Sequence, residues 1–350
     1  GIFLALSNPG HSQWAKSYGT ASSSQIAYDI QQTEEGGYIV TGHYGFWTVK
    51  LTCDGTIDWQ YHYLLDLNNS ARSIQQTADG GFIVAGFVQL LSVPNYPSEI
   101  WVLKLDPDGS IAWQKNYGLD TSYDTVGAIR ETFDADGNST GYILAGTSMH
   151  LVSQSNDIWL LKLDRDGEVE WQTAYLCSAD GANDIRQTFD DAGSPDGYIL
   201  AGTTNYFYGY NPWVLKIDDN GNVEWENIYG GVQWTRSIQV ASDGGYILLA
   251  QSSNPPNIWV AKLRSSGTIE WQKEYGGANQ DDAFDIRETV DSQGAADGYI
   301  LAGLTHSFGA GNRDGYILKL DNAGNPLWAR TFGDDGPDEA RAIRQTQDGG

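Results

Sequence analysis

Residues 100–118, IWVLKLDPDGSIAWQKNYG, return in variant form six more times along a chain of 350 residues. Copies begin at Phe46, Ile158 (IWLLKLDRDGEVEWQTAY), Pro212, Ile258 and Tyr316, and a degenerate one, IFLALSNPGHSQWAKSYG, opens at Ile2. Their tryptophans are Trp14, Trp59, Trp113, Trp171, Trp225, Trp271 and Trp328, separated by 45, 54, 58, 54, 46 and 57 residues. Between copies a second piece recurs, seen as ARSIQQTADGGFIVAG from Ala71 and TRSIQVASDGGYILLA from Thr235. Each repeat reads as four strands: A (S-I-Q-Q-T), B (G-Y-I-L-A-G), C (W-V-L-K-L-D) and D (the tryptophan segment). Asp-Gly and Gly-Gly pairs supply the positive φ that tight hairpins need. A period near fifty, made only of β-type segments, predicts propeller blades that bury both faces against their neighbours. The reading is a seven-bladed all-β propeller of four-stranded antiparallel blades, one domain over residues 1–350.

Composition agrees and excludes other classes. With 45 Asp+Glu against 20 Lys+Arg the net charge is −25. Nucleic-acid binding needs clustered positive charge, so it is excluded as an ordinary function. Forty-two Gly, 13 Trp and 20 Tyr against one Met describe turns and large rigid side chains rather than helices. No run approaches the ~18 apolar residues of a membrane span, so direct insertion is not expected. Cys53 and Cys177 stand far apart without metal-ligand neighbours, which argues against a disulfide framework or a zinc site.

Two side-chain rings repeat with the blades. Lys50, Lys104, Lys162, Lys216, Lys262 and Lys319 precede the L-D step of strand C and account for six of nine lysines. An ammonium inside a packing unit needs a carboxylate of its own or an adjacent blade. On strand A, Gln31, Gln75, Arg130, Arg186, Gln239, Arg287 and Arg344 fall nearest the axis. The four arginines would hold an anion or be neutralised by Glu131 and Glu288 beside two of them; neutralisation is the expectation.

The pattern K-L-D-x-x-G-x-x-x-W-x-x-x-Y-G-G, followed by D-D and S-I-x-x-T-x-D-G-G-Y-I-x-A-G, resembles the seven-bladed propeller repeats of secreted bacterial and archaeal surface proteins. Its L-D-x-x-G-x-x-x-W portion also resembles the tryptophan-docking motif of quinoprotein propellers, which gives the seven tryptophans a structural docking role. The resemblance implies the fold and an extracellular or cell-surface setting, with no activity attached.

The first residues match strand C and the last, ARAIRQTQDGG, match strand A and its turn. The closing blade is therefore expected to share its strands between the two termini. A B strand is missing from the count at Gly350. Continuation in a longer chain is the leading expectation; self-association, with a neighbour adding the strand in a head-to-tail filament, is the sharper alternative. A third reading takes residues 1–6 as the tail of a signal peptide.

Function is expected on the face carrying the B–C and D–A loops, because the other face has mostly minimal turns and the B–C loops vary most. Tyr206, Phe207, Tyr208 and Tyr210, with Trp234 on the following D–A loop, form the aromatic candidate for a glycan or a protein partner; packing down over the blade is the competing reading. Acidic D–A positions include Asp120, Asp124, Asp281, Asp282, Asp334, Asp335, Asp338 and Glu339. Asp281, Asp282, Asp334 and Asp335 are the candidate calcium ligands, against a solvated acidic loop, since no full Asp-x-Asp-x-Asp-Gly loop is present. Enzyme readings find no sialidase box and no vicinal cysteine pair. The five histidines, His11, His43, His62, His150 and His306, occupy different repeat positions without a Ser/Asp or metal-ligand partner nearby. The expected function is a non-catalytic interaction or assembly module, with a lectin-like propeller and a strand-donating filament as alternatives.

Overall fold

The structure, a computed structural model, describes residues 2–5, 15–18, 26–43, 45–63, 69–92, 96–118, 122–150, 156–176, 179–205, 209–310, 312–346 and 349. These residues form 26 strands and no helix. Four separate four-stranded antiparallel meanders span 27–62, 179–228, 232–275 and 281–332. An eight-stranded sheet contains two more, 70–117 and 122–176, joined by one parallel pair, Tyr123 opposite Ser98. Strands Ile2–Ala5 and Ala15–Tyr18 pair as a hairpin, the C and D strands of the copy that opens the chain. The all-β propeller arrangement of four-stranded blades thus agrees with the sequence reading.

Burial explains the repeat's composition. In the 232–275 meander the two middle strands, Tyr246–Ser252 and Ile258–Leu263, are buried at every position. The outer strand Ile269–Tyr275 alternates exposed and half-buried and ends buried at Tyr275. Middle strands are therefore apolar on both sides, while outer ones are amphipathic. The lysines sit on the middle strands, and their partners lie within the same meander. Lys104 meets Asp79 at 2.8 Å, Lys162 meets Glu170 at 3.0 Å, Lys262 meets Asp243 at 2.7 Å and Lys319 meets Asp297 at 3.0 Å.

The tryptophan segments join one meander to the next. The indole N–H groups of Trp59, Trp113 and Trp171 donate to the carbonyls of Pro107, Arg165 and Asp219, all in the C–D turn of the following meander. Trp225 and Trp271 pack on Gly267 and Gly324 in the same way. Glycine is needed there: Gly167 has φ 77°, and a Cβ would stand 2.8 Å from the Trp113 ring. The tyrosine four residues after each tryptophan completes the clasp. Tyr63, Tyr117, Tyr175, Tyr229 and Tyr275 donate to the carbonyls of Gly109, Gly167, Gly221, Gly267 and Gly324 at 2.6–2.7 Å. Tyr18 does the same to Gly55 at 2.5 Å. Burial, with Asp218 adding to it, pushes the Tyr175 phenol up to about 12, so the donor keeps its proton at any ordinary pH.

One closure expectation needs correction, and the turn on which the repeat register would dock Trp328, residues 7–10, lies outside the described residues. Trp328 is 43% exposed, with Arg330 against its ring, and the clasp tyrosine is replaced by Phe332, itself 40% exposed. Phenylalanine has no hydroxyl to donate, so this copy lacks half of the clasp. Trp14 lies outside the described residues. Residues 341–346, expected as a strand A, carry no strand assignment. They still hold the inner-strand position: Ile343 N donates to the Asp285 carboxylate at 3.1 Å, as Ile74 N does to Asp29 and Ile238 N to Asp184.

Candidate functional site

On the B–C and D–A loop face, Tyr210 and Trp234 stack with ring centroids 4.0 Å apart and planes 27° from parallel. Both are half-buried. The expected loop placement of Trp234 is corrected: it lies inside strand Val232–Val240, within a register shift between Val232 and Thr235. A bulge turns a strand residue away from its regular direction, and here it brings Trp234 to the loop of the preceding meander. Tyr206, Phe207 and Tyr208 lie outside the described residues. An aromatic pair not anticipated from the sequence lies on the same face: Phe308, 45% exposed, stacks on the buried Tyr316 with centroids 5.9 Å apart.

Asp124, Asp281 and Asp282 are buried and do not belong to a solvated loop, whereas Asp334 and Asp335 are exposed as that reading expects. Asp281 is fully buried and accepts from Gly277 N at 2.7 Å, from the Ser307 hydroxyl at 2.8 Å and from the Thr305 hydroxyl. Asp282 pairs with Arg236 at 2.6 Å, and burial raises its pKa in spite of that cation. Adjacent strand residues point to opposite faces, so the two carboxylates serve different partners. Asp124 is also fully buried and accepts from Ser122, while Asp338 accepts from Asp334 N at 3.1 Å. Asp334 in turn accepts from Gly336 N at 2.8 Å, and Asp335 is exposed. The recurring acids therefore fasten the turn that follows strand D. Among the described residues no group of three or more His, Cys, Asp or Glu side chains is arranged to hold a metal ion. Asp120 lies outside the described residues.

At the centre, the inner strands surround a cavity of about 130 Å³. Each of the six inner strands has a register shift at equivalent positions, and the residue it skips lines the cavity: Tyr28, Arg72, Gly127, Asn183, Arg236 and Phe284. One step further along the strand lie Asp29, Asp184 and Asp285, and two further on lies the arginine ring. Arg186 meets Asp184 at 2.7 Å and Arg130 reaches it at 3.4 Å. Arg287 meets Asp285 at 3.0 Å, and Arg344 bridges Asp285 and Asp29. The expected neutralisers are therefore corrected. Glu131 and Glu288 accept from Ala78 N and Ser242 N of other meanders, each at 2.9 Å. Side chains two apart on a strand share a face, which is why the aspartates and not the adjacent glutamates meet the arginines.

His43 does have a serine partner that the sequence reading missed: its Nδ1 lies in hydrogen-bond contact with Ser70 Oγ. Ser70 is 1% exposed, so this contact ties two meanders together.

No family model and no curated protein matches the chain. Among solved structures the chain is similar to the WD40 domain of Neurospora crassa Pan2, at 12% identity and a TM-score of 0.58, covering 93% of this chain and 84% of that one. It is similar to virginiamycin B lyase from Staphylococcus aureus at 16% identity and a TM-score of 0.55, covering 95% and 87%. A protein of unknown function from Bacteroides caccae aligns at 14% identity and a TM-score of 0.52, covering 85% and 94%. At these identities the likeness shows the fold alone: an all-β, propeller-like architecture.

Proposed function

We propose that the chain is a seven-bladed propeller that serves as a non-catalytic, extracellular or cell-surface interaction module, binding through its B–C and D–A loop face. The seven-fold count is supported by the cavity wall, to which Arg341 of the last described segment adds an equivalent residue beside the six from the inner strands. In sequence all seven precede the same step, from Tyr28-Asp-Ile-Gln to Arg341-Ala-Ile-Arg. The observation that carries the binding reading is the Tyr210–Trp234 stack. Two flat rings with polar edges, half-buried on a rigid scaffold, suit a protein hot spot.

A glycan is the second reading, because a stacked aromatic platform of this kind also fits the apolar face of a sugar ring. A glycan array with wild type and Trp234→Ala, with and without calcium, separates the two. Saturable sugar binding lost in the variant supports the lectin; dependence of that binding on calcium would bring the Asp281, Asp282, Asp334 and Asp335 positions into it. No sugar binding, with concentration-dependent polymers in sedimentation velocity, supports assembly and the filament. No sugar binding and a monomer leaves a heterologous protein as the partner.

A further inference from the structure

Within the repeat, the inner strand reads x-[DSA]-I-[QR], and x is the position that varies most in chemistry: Tyr28, Arg72, Gly127, Asn183, Arg236, Phe284. It is also the position where every inner strand is bulged, so the fold sends its most variable inner residue into the axial cavity. In a chain of net charge −25, the cavity wall carries five arginines and three aspartates. Four of those arginines have carboxylates: Arg130 with Asp184, Arg287 with Asp285, Arg236 with Asp282 and Arg341 with Glu339.

Arg72 has none among the described residues. Its contacts are with two rings, the guanidinium carbon 4.1 Å from the Tyr28 centroid and 5.7 Å from Phe87. Arg341 lies against the same Tyr28 ring at 5.2 Å. Burial lowers the Arg72 pKa, with Tyr28 opposing and Arg341 adding to the effect, as expected of a cation placed beside another without a counter-ion. The half-buried guanidinium has five N–H donors and no carboxylate partner among the described residues, so its fork is left for water or a ligand in the cavity.

We propose that the axial cavity is an anion site in which Arg72, assisted by Arg341, binds the oxyanion group of a small molecule, a carboxylate or a phosphate. The guanidinium fork matches two oxygens of either group. Stacking on Tyr28 holds the fork in place before the ligand arrives. A cavity of about 130 Å³ has room for a phosphate or a short organic acid. The site is independent of the loop-face reading, because Tyr210 and Trp234 do not line it.

Isothermal titration calorimetry on the full chain tests this, with inorganic phosphate and acetate as probes and sodium chloride at matched ionic strength as the reference. One saturable site per chain is expected for at least one probe; the tighter of the two tells a tetrahedral from a planar preference. Arg72→Gln is expected to weaken it at least tenfold, and Arg341→Gln to weaken it measurably. Arg330→Gln, on the outer strand, should leave it unchanged. Far-UV circular dichroism checks the fold of each variant, and Arg72→Lys stands in if Arg72→Gln does not fold: it retains charge without the fork and should weaken binding. No saturable binding of either probe, binding unchanged in both Arg72 variants, or equal loss in Arg330→Gln would overturn the proposal.

Discussion

Arg344 donates to the Asp29 carboxylate at 2.7 Å, joining residues 315 apart in sequence. The same guanidinium meets Asp285, so one side chain draws the first and sixth meanders onto the segment between them. Burial lowers the Arg344 pKa, but Asp285 and Asp29 outweigh it and the net shift is upward. Replacing Arg344 with Ala takes the arginine from the buried Asp29 and leaves Asp285 with Arg287 alone, and should cost about 3 kcal/mol in chemical denaturation. A cost under about 1 kcal/mol would mean that the closure is made elsewhere.

The same ring sets a pH dependence. Burial pushes the Asp285 carboxyl up, but Arg287, Arg344 and the other partners more than offset this and hold it below the ordinary carboxylate value. A folded-state pKa below the unfolded one gives stability that is fully present above the unfolded value, near 4. It is lost as pH falls through the lower folded value. Melting temperature should be flat on this account near neutrality and fall below pH 4, with a shallower fall in Asp285→Asn.

The inter-blade clasp predicts unequal tryptophans. Trp113→Ala removes a docked ring and a hydrogen bond and should cost about 3 kcal/mol. Tyr117→Phe loses only the bond to Gly167 and should cost about 1 kcal/mol. Trp328→Ala, on an exposed ring, should cost under about 1 kcal/mol. Equal costs for Trp113 and Trp328 in urea unfolding would show that Trp328 is docked after all.

Asp281 separates a structural acid from a calcium ligand. Its oxygens already accept from Gly277, Thr305 and Ser307. Asp281→Ala should lower the melting temperature by several degrees for a loss of about 1–3 kcal/mol. A chelator should leave wild type unmoved. A chelator-induced drop in wild type would instead restore a cation to this turn.

Much of the scaffold was legible because packing repeats at every blade: tryptophan, turn glycine, clasp tyrosine and buried lysine all recur at fixed spacing. What was not legible depends on single contacts or on bulges. A period-2 reading puts Trp234 in a loop and gives no reason for Arg72 to face the axis, whereas the register shifts beside both decide where they point. Asp29, Asp184 and Asp285 were overlooked because glutamates stood next to the arginines in sequence, although a strand brings i and i+2 together. The Phe332 exchange is visible in the text of the repeat and removes the clasp hydroxyl from that copy.

The claim that partners approach the loop face has a direct test. A photo-activated cross-linking residue at Asn205, exposed where strand Pro195–Thr204 enters the B–C loop that carries Tyr210, is compared with one at Ser266, exposed on a C–D turn of the opposite face. Both variants are irradiated with the protein in its own cellular setting. The account predicts one dominant adduct from position 205, absent when Trp234→Ala is added, and none from position 266. Adducts from position 266 alone, or equally from both with no dependence on Trp234, would contradict it.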